Sequence, residues 1–458
     1  MKTKYSAIAL LGFALFAPLF ANASTPELSV APGQVIDLPD LNLSWETFSL
    51  SEDAHRALTS GGEEPIAFRD FPTSPGAREA IRFAPFEIFA PGAKMWLVSW
   101  GEKREIPRDP SRHFRGRSAS GDTRVGLSVR PDGSIFGFVA GSAGDFHISG
   151  PNAQGSFSIE DASPSSDLEY AGCGTEHLPI PDSFFTDPPS ETTRKSSSPL
   201  LGASRQAVIA VDTDVEFNQE KFGNNEANAL TWIGDLFTSL NTMYERDLDL
   251  SLLQGDTSIR IGSDPFNNTD SPASQAQLTE FGNWWSANQS GVDRVFAMLL
   301  SGKSPSSNSG SGIAWVDGYC ENQSSGGGYS INQIFTGNFP ASSDARLVGH
   351  ELGHNAGSPH THCYNPVVDT CYNAETGCYS GAVSCPGGAG TVMSYCNFGA
   401  PNGAGCGQNQ LVFHPTVQGR IGTLISNHFP GCVTSALGDI FADGFESGNT
   451  TAWTTTVP

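Results

Sequence analysis

Between His350 and His360 the chain sets three histidines, a glutamate and a glycine at intervals that few folds can satisfy. Residues four apart share one face of an α-helix, so His350 and His354 turn two imidazoles toward one point with Glu351 beside it. Gly357 tolerates a positive φ, which lets the chain leave the helix and bring His360 back to the same point. Three imidazoles, an adjacent carboxylate and a fourth position open to water form the donor set of a catalytic zinc ion. A bare histidine pair at helical spacing would be a solvated face. Here, however, four of the ten histidines fall between 350 and 362, and the glycine and third histidine complete the pattern. His362 is an alternative third ligand, although the Gly-x-x-His spacing selects His360. The motif calls for one zinc ion and says nothing of calcium.

This stretch resembles the metzincin signature, His-Glu-x-x-His-x-x-Gly-x-x-His followed by a methionine turn, and Thr391-Val392-Met393-Ser394-Tyr395-Cys396 is similar to that turn. Over about residues 205 to 432 the chain looks most like the adamalysin or reprolysin family. Val295 to Gly302 resembles that family's strand and loop, and Gly312 to Cys320 its cleft-edge strand ending in cysteine. The resemblance implies an α/β fold, a mixed twisted sheet with an active-site helix and a small irregular Cys-rich lower subdomain. It also implies a zinc-dependent endopeptidase, with Met393 as an apolar floor under the imidazoles and Cys320 paired with Cys432. Two positions depart from the family: Thr361 stands where it usually has Asp, and Tyr395 makes a Met-x-Tyr turn more similar to astacins and serralysins. In those families the tyrosine stabilises the oxyanion, a role that passes by resemblance to Tyr395. Gly312, Ile313, Ala314, Trp315 and Val316 are then the substrate edge strand, able to bond a peptide main chain by β-augmentation.

Lys2 and Lys4, an apolar run from Ala7 to Phe20 and Ala21-Asn22-Ala23 fit a secretory signal over residues 1–23. A net charge of −23 argues against nucleic acid as a partner, leaving protein or peptide substrates. No later stretch is long and apolar enough for a transmembrane helix, and nothing specifies an oligomeric state. Eight of the nine cysteines, Cys320, Cys363, Cys371, Cys378, Cys385, Cys396, Cys406 and Cys432, lie in the catalytic region, an even set suited to disulfides in an exported chain. Beyond the pair implied by resemblance, six cysteines leave fifteen connectivities open. Cys173 stands alone upstream.

Residues 24–195 read as a mostly β pro-domain, including a hairpin about Pro131-Asp132-Gly133, and end in a Pro-, Ser- and Thr-rich linker from Pro179 to Pro199. Residues 196–436 read as the catalytic domain. Its strands are expected at 207–211, 258–261 and 295–300, and an amphipathic helix carries Leu230, Ile233, Phe237 and Leu240. Further helices are expected near 275–285, over 342–356 with Ser342 or Ser343 as N-cap, and over 415–426. The acidic tail 437–458 resembles tails of secreted bacterial proteins, which implies a bacterial, extracellular protein with possible surface attachment; a plain terminus fits equally.

Glu351 serves as general base in the reaction these residues suggest. A zinc amidase acting on a non-protein amide, or a non-catalytic zinc-stabilised binding module, are the other readings. Retention of Glu351 argues against the latter, because structural zinc needs no base. In Ala171-Gly172-Cys173-Gly174, Cys173 is similar to the pro-segment cysteine that caps zinc in adamalysins. A latent proenzyme relieved by Cys173→Ala, or by cutting between about Arg194 and Arg205, follows from that resemblance.

Overall fold

Upstream of the linker, runs of β-branched and aromatic residues broken by turn residues build one largely antiparallel sheet. Its strands are β1 (Val35–Ile36), β2 (Thr47–Phe48), β3 (Ile66–Ser74), β4 (Ala77–Phe86), β7 (Arg112–Ser118), β8 (Arg124–Val129), β9 (Ile135–Gly141), β10 (Gly144–Gly150) and β11 (Phe157–Asp161), in the order β1-β3-β4-β7-β8-β9-β10-β11-β2. Helix α1 (Glu52–Thr59), capped by the Ser51 hydroxyl, accompanies them. The expected hairpin joins β8 to β9, with Asp132 accepting from the Ser134 amide across the turn. In this computed structural model the described residues are 35–36, 47–180, 184 and 202–436, except 61, 63, 142, 154, 163–167 and 386. The expected leader, most of the linker and the tail lie outside the described residues.

A second sheet carries the downstream half: β13 (Arg205–Thr213), β14 (Leu250–Ile261), β15 (Phe296–Ser301), β16 (Ser309–Ala314), β17 (Tyr329–Gln333) and β18 (Thr434–Ser435). Strands β14, β13, β15 and β17 run parallel, and β16 turns antiparallel against β17. Its helices are α2 (Glu226–Leu248), α3 (Gln275–Asn288), α4 (Ala341–Asn355) and α5 (Pro415–His428). Helix α4 is capped by neither serine. Pro340 is its N-cap, without a side-chain hydrogen bond, because Ser342 and Ser343 are already inside the first turn. Asp344 there accepts from the Phe335 amide, tying the helix to the loop after β17. From Asn355 to Pro415 regular structure gives way to loops held by Cys363–Cys378, Cys371–Cys396 and Cys385–Cys406, and Cys320–Cys432 forms the pairing expected by resemblance.

Upstream residues also enter this second sheet. Strand β5 (Met95–Ser99) pairs in parallel with β14, from Met95 opposite Thr257 to Ser99 opposite Ile261, and β6 (Glu102–Ile106) closes that edge. At the opposite edge β12 (Glu169–Cys173) pairs with β16. One apolar core joins Ile88, Met95, Leu97, Phe136 and Phe138 to Ile209, Ile233, Leu236 and Leu240. Helix α2 therefore has no solvated side. Its polar residues face β7, β8 and the strand end after β8, where Arg115 pairs with Glu245 at 2.9 Å and Arg130 pairs with Asp235.

His113 marks this buried seam. Its Nδ1 lies 3.0 Å from both Ser128 Oγ and Thr238 Oγ1, and burial lowers its pKa to about 4, only partly opposed by Asp109. A folded-state pKa below the unfolded 6.5 means that the folded protein binds the proton less readily. The stability contribution of neutral His113 is present above pH 6.5 and is lost progressively as pH falls toward 4. Melting temperatures measured across this range are expected to fall for wild type and to fall less steeply for His113→Asn.

Candidate metal centre

Helix α4 puts His350 and His354 on one face, and Gly357 (φ 101°) turns the chain so that His360 meets them. A Cβ at Gly357 would approach Leu424 Cδ1 to 2.1 Å, so both the turn and the packing of α5 behind it require glycine. The Nε2 atom of His354 lies 3.1 Å from that of His350 and 3.2 Å from that of His360. Each Nδ1 is turned to an oxygen: His350 to Val392 O at 2.6 Å, His354 to Ser358 O at 2.6 Å, and His360 to Glu375 Oε2 at 2.7 Å.

Those outer contacts decide the chemistry of the cluster. A carbonyl or carboxylate accepts, so each Nδ1 carries the proton and each Nε2 presents a lone pair. Three lone pairs facing one another in a fully buried space repel unless a cation lies between them. Zn–N bonds of about 2.0–2.1 Å at tetrahedral angles hold such nitrogens about 3.3 Å apart, close to the spacings seen here. Burial, reinforced by mutual repulsion, holds the pKa of His350 down at about 3 and that of His354 well below normal, so both stay neutral donors. The residues fit zinc.

The remaining residues singled out in the sequence meet here. Cys173 Sγ joins the three histidines in a group whose ligand atoms all lie within 4.8 Å of one another. It sits 3.4 Å from Glu351 Oε2 and 3.5 Å from His354 Nε2. Burial, and then the Glu351 charge, push its thiol pKa well up; a facing cation reverses that sign. Burial likewise raises Glu351 to about 8, and among the described residues its Oε1 has no hydrogen-bond partner. Gly312 leaves room for that carboxylate, since a Cβ there would come within 2.3 Å of Glu351 Oε1. Met393 packs under α4, its sulfur filling the space beside Gly353, and its carbonyl accepts from the Thr361 amide at 3.0 Å. The Tyr395 hydroxyl donates to Cys173 O at 2.8 Å and accepts from Cys173 N at 3.1 Å.

Two expectations change. The strand runs from Ser309 to Ala314, stopping short of Trp315 and Val316; the Trp315 amide makes a last bond to Tyr329 O at 3.3 Å, and the chain then turns away at Asp317, with φ 62°. Nor is it an edge, since β12 lies along it in parallel with a bulge between Tyr170 and Cys173 that re-aims the cysteine toward Glu351. His362 stays out of the nitrogen cluster, with its Nε2 bonded to Glu375 Oε2 at 2.8 Å. Glu375, which no spacing rule marks, thus orients both His360 and His362. Burial alone would raise its pKa, but the two imidazoles hold it far below the carboxylate range. Its one sequence signal is being an acid among the closely spaced cysteines that follow the zinc motif.

Residues 203–404 match the family model for reprolysin-type proteins of metallo-peptidase family M12. No curated protein matches the chain.

Replacing Glu375 by Ala removes the acceptor that fixes the His360 tautomer. Zinc affinity, measured by competition with a chelator, is expected to weaken about 10- to 100-fold while the fold persists. His362→Ala, which removes no cluster nitrogen, is expected to retain zinc.

Proposed function

Since residues 203–404 belong to metallo-peptidase family M12 and form a zinc metalloendopeptidase of the reprolysin kind, we propose that His350, His354 and His360 hold its zinc and that the described arrangement is a latent proenzyme. The convergence of three imidazole nitrogens beside a buried carboxylate carries the reading. Bound zinc supplies Lewis acidity toward water and the scissile carbonyl.

Glu351, within the same pocket, accepts the proton of the attacking water and returns it to the departing amine. A carboxylate at this place, beside the three histidines and on the same helix as two of them, is positioned for both transfers. Tyr395, once released from Cys173, donates a hydrogen bond to the carbonyl oxygen as charge develops there. A peptide substrate, rather than a small amide, is supported by β16, which here accepts an extended strand of the chain itself through main-chain bonds.

Latency rests on three contacts of β12: its ladder with β16, the Tyr395 clamp on the Cys173 backbone, and the thiol over the nitrogens. Because β5 and β6 and the upstream core residues are built into the catalytic half, the inhibitory unit is β12 rather than the whole of residues 24–195. Four disulfides fit an oxidising compartment, and among the described residues no helix is long and apolar enough to cross a membrane. Secretion through the 1–23 leader agrees with both.

Metal analysis of protein freed of β12 by cuts on both sides is expected to find one zinc per chain, and peptide assays to find turnover. Glu351→Gln is expected to keep the zinc and lose activity by orders of magnitude; comparable turnover in that variant would refute the base assignment. Tyr395→Phe is expected to lower kcat more than it raises KM. In uncut protein, Cys173→Ala is expected to raise turnover well short of full activation, because the ladder and the Tyr395 clamp persist. A cut confined to 194–205 is expected to do little, since it leaves β12 seated.

A further inference from the structure

Arg346 lies one helical turn before His350 on α4, so the two side chains share a face. It is only 7% exposed, yet among the described residues no carboxylate lies within ion-pairing distance of it, and its Nε has no hydrogen-bond partner. Asp145 is the carboxylate that feels its charge from farther away, and that group is committed to the Leu411 amide at 3.3 Å. A buried guanidinium left this way is costly unless a counter-charge arrives.

The side chain lines a cavity that also has His350, Glu351, Cys173 and Tyr395 in its walls. With β12 seated, about 40 Å³ of this space remains. Tyr170 of β12 fills the approach. Its hydroxyl donates to Ser343 O at 3.1 Å, and its oxygen lies against Arg346, a neutral acceptor standing where a charged one would bind more strongly. Removal of β12 takes away Tyr170, Gly172 and Cys173 together and joins this cavity to the reaction centre.

We propose that Arg346 is a specificity-determining residue that selects substrates carrying Asp or Glu immediately beside the scissile bond. The proposal rests on the peptidase reading above. Four residues of helix separate Arg346 from His350 by about 6 Å along the axis, within reach of an acidic side chain whose backbone lies over the histidines. The planar guanidinium then meets the carboxylate through paired N–H donors in a water-poor space, where an uncharged amide of the same shape leaves the cation unpaired. The negative surface of the protein opposes this little, because charges beyond about 8 Å are screened at physiological salt.

The test uses protein freed of β12 and loaded with zinc, and peptides that differ only at the residues flanking the cleaved bond. Glu and Asp peptides are expected to exceed their Gln and Asn counterparts in kcat/KM on the order of 10- to 100-fold. Arg346→Met is expected to collapse that ratio toward unity, Arg346→Glu to shift preference toward Lys peptides, and Arg346→Lys to keep an acidic preference. Binding of the same peptides to the inactive Glu351→Gln variant, read by fluorescence anisotropy, is expected to follow the same order. Cleavage without acidic preference in wild type, or a preference that survives Arg346→Met, overturns the proposal while leaving the peptidase reading intact. Zinc-loaded protein that hydrolyses no peptide overturns both. Should Arg346→Met fail to fold, the wild-type ratio and the Arg346→Lys variant still decide the matter.

Discussion

Three buried imidazoles, with His354 Nε2 3.1 Å from that of His350 and 3.2 Å from that of His360, are the constraint on which this structure turns. Left alone they repel, and each ring is prevented from rotating away by an oxygen on its other nitrogen. Those oxygens come from different parts of the chain: the methionine-turn backbone, the turn after Gly357 and the Cys363–Cys378 loop. Much of the irregular region after α4 can be understood as a frame for three acceptors. Three disulfides and scattered main-chain bonds, such as Thr361 N–H to Met393 O and Cys406 N–H to Cys396 O, hold that frame where helices and sheet ladders are lacking.

The same constraint bears on the proposed latency, in which one short strand covers the centre. The Cys173 thiol lies 3.5 Å from His354 Nε2, and the bulge in β12 sets Cys173 opposite Gly312. Tyr395 contributes in both states of the proposed cycle. Its hydroxyl holds the Cys173 backbone in the latent arrangement and is free for the reacting carbonyl once the strand leaves. Arg346 follows a similar logic, facing a tyrosine oxygen with β12 seated and, under the proposed specificity, an acidic side chain once that strand has left.

A helix with Leu230, Ile233, Phe237 and Leu240 on one face is legible as amphipathic, and α2 is indeed helical there. Its burial on the opposite face was not legible, because Asp235, Thr238 and Glu245 read as a solvated stripe until Arg130, His113 and Arg115 are seen against them. The hairpin at Pro131-Asp132-Gly133 and the helix over the zinc motif were readable because turn chemistry and four-residue spacing are local. The parallel pairing of β5 with β14 was not, because its partners are about 160 residues apart and no local pattern records a parallel ladder between them.

The amino-acid sequence by itself marked the three histidines and the glutamate that the fold brings together, the turn at Gly357, the methionine that packs beneath them and an even count of downstream cysteines, since each is a matter of residue type at short spacing. The tertiary structure alone decided that Glu375 orients two histidines, which cysteines pair beyond Cys320–Cys432, that β16 is covered by β12, and that Arg346 stands buried without a counter-charge beside the centre. Each of these depends on segments distant in the chain sharing one volume. Burial and charge pairing are properties of that shared volume, and no single segment carries them.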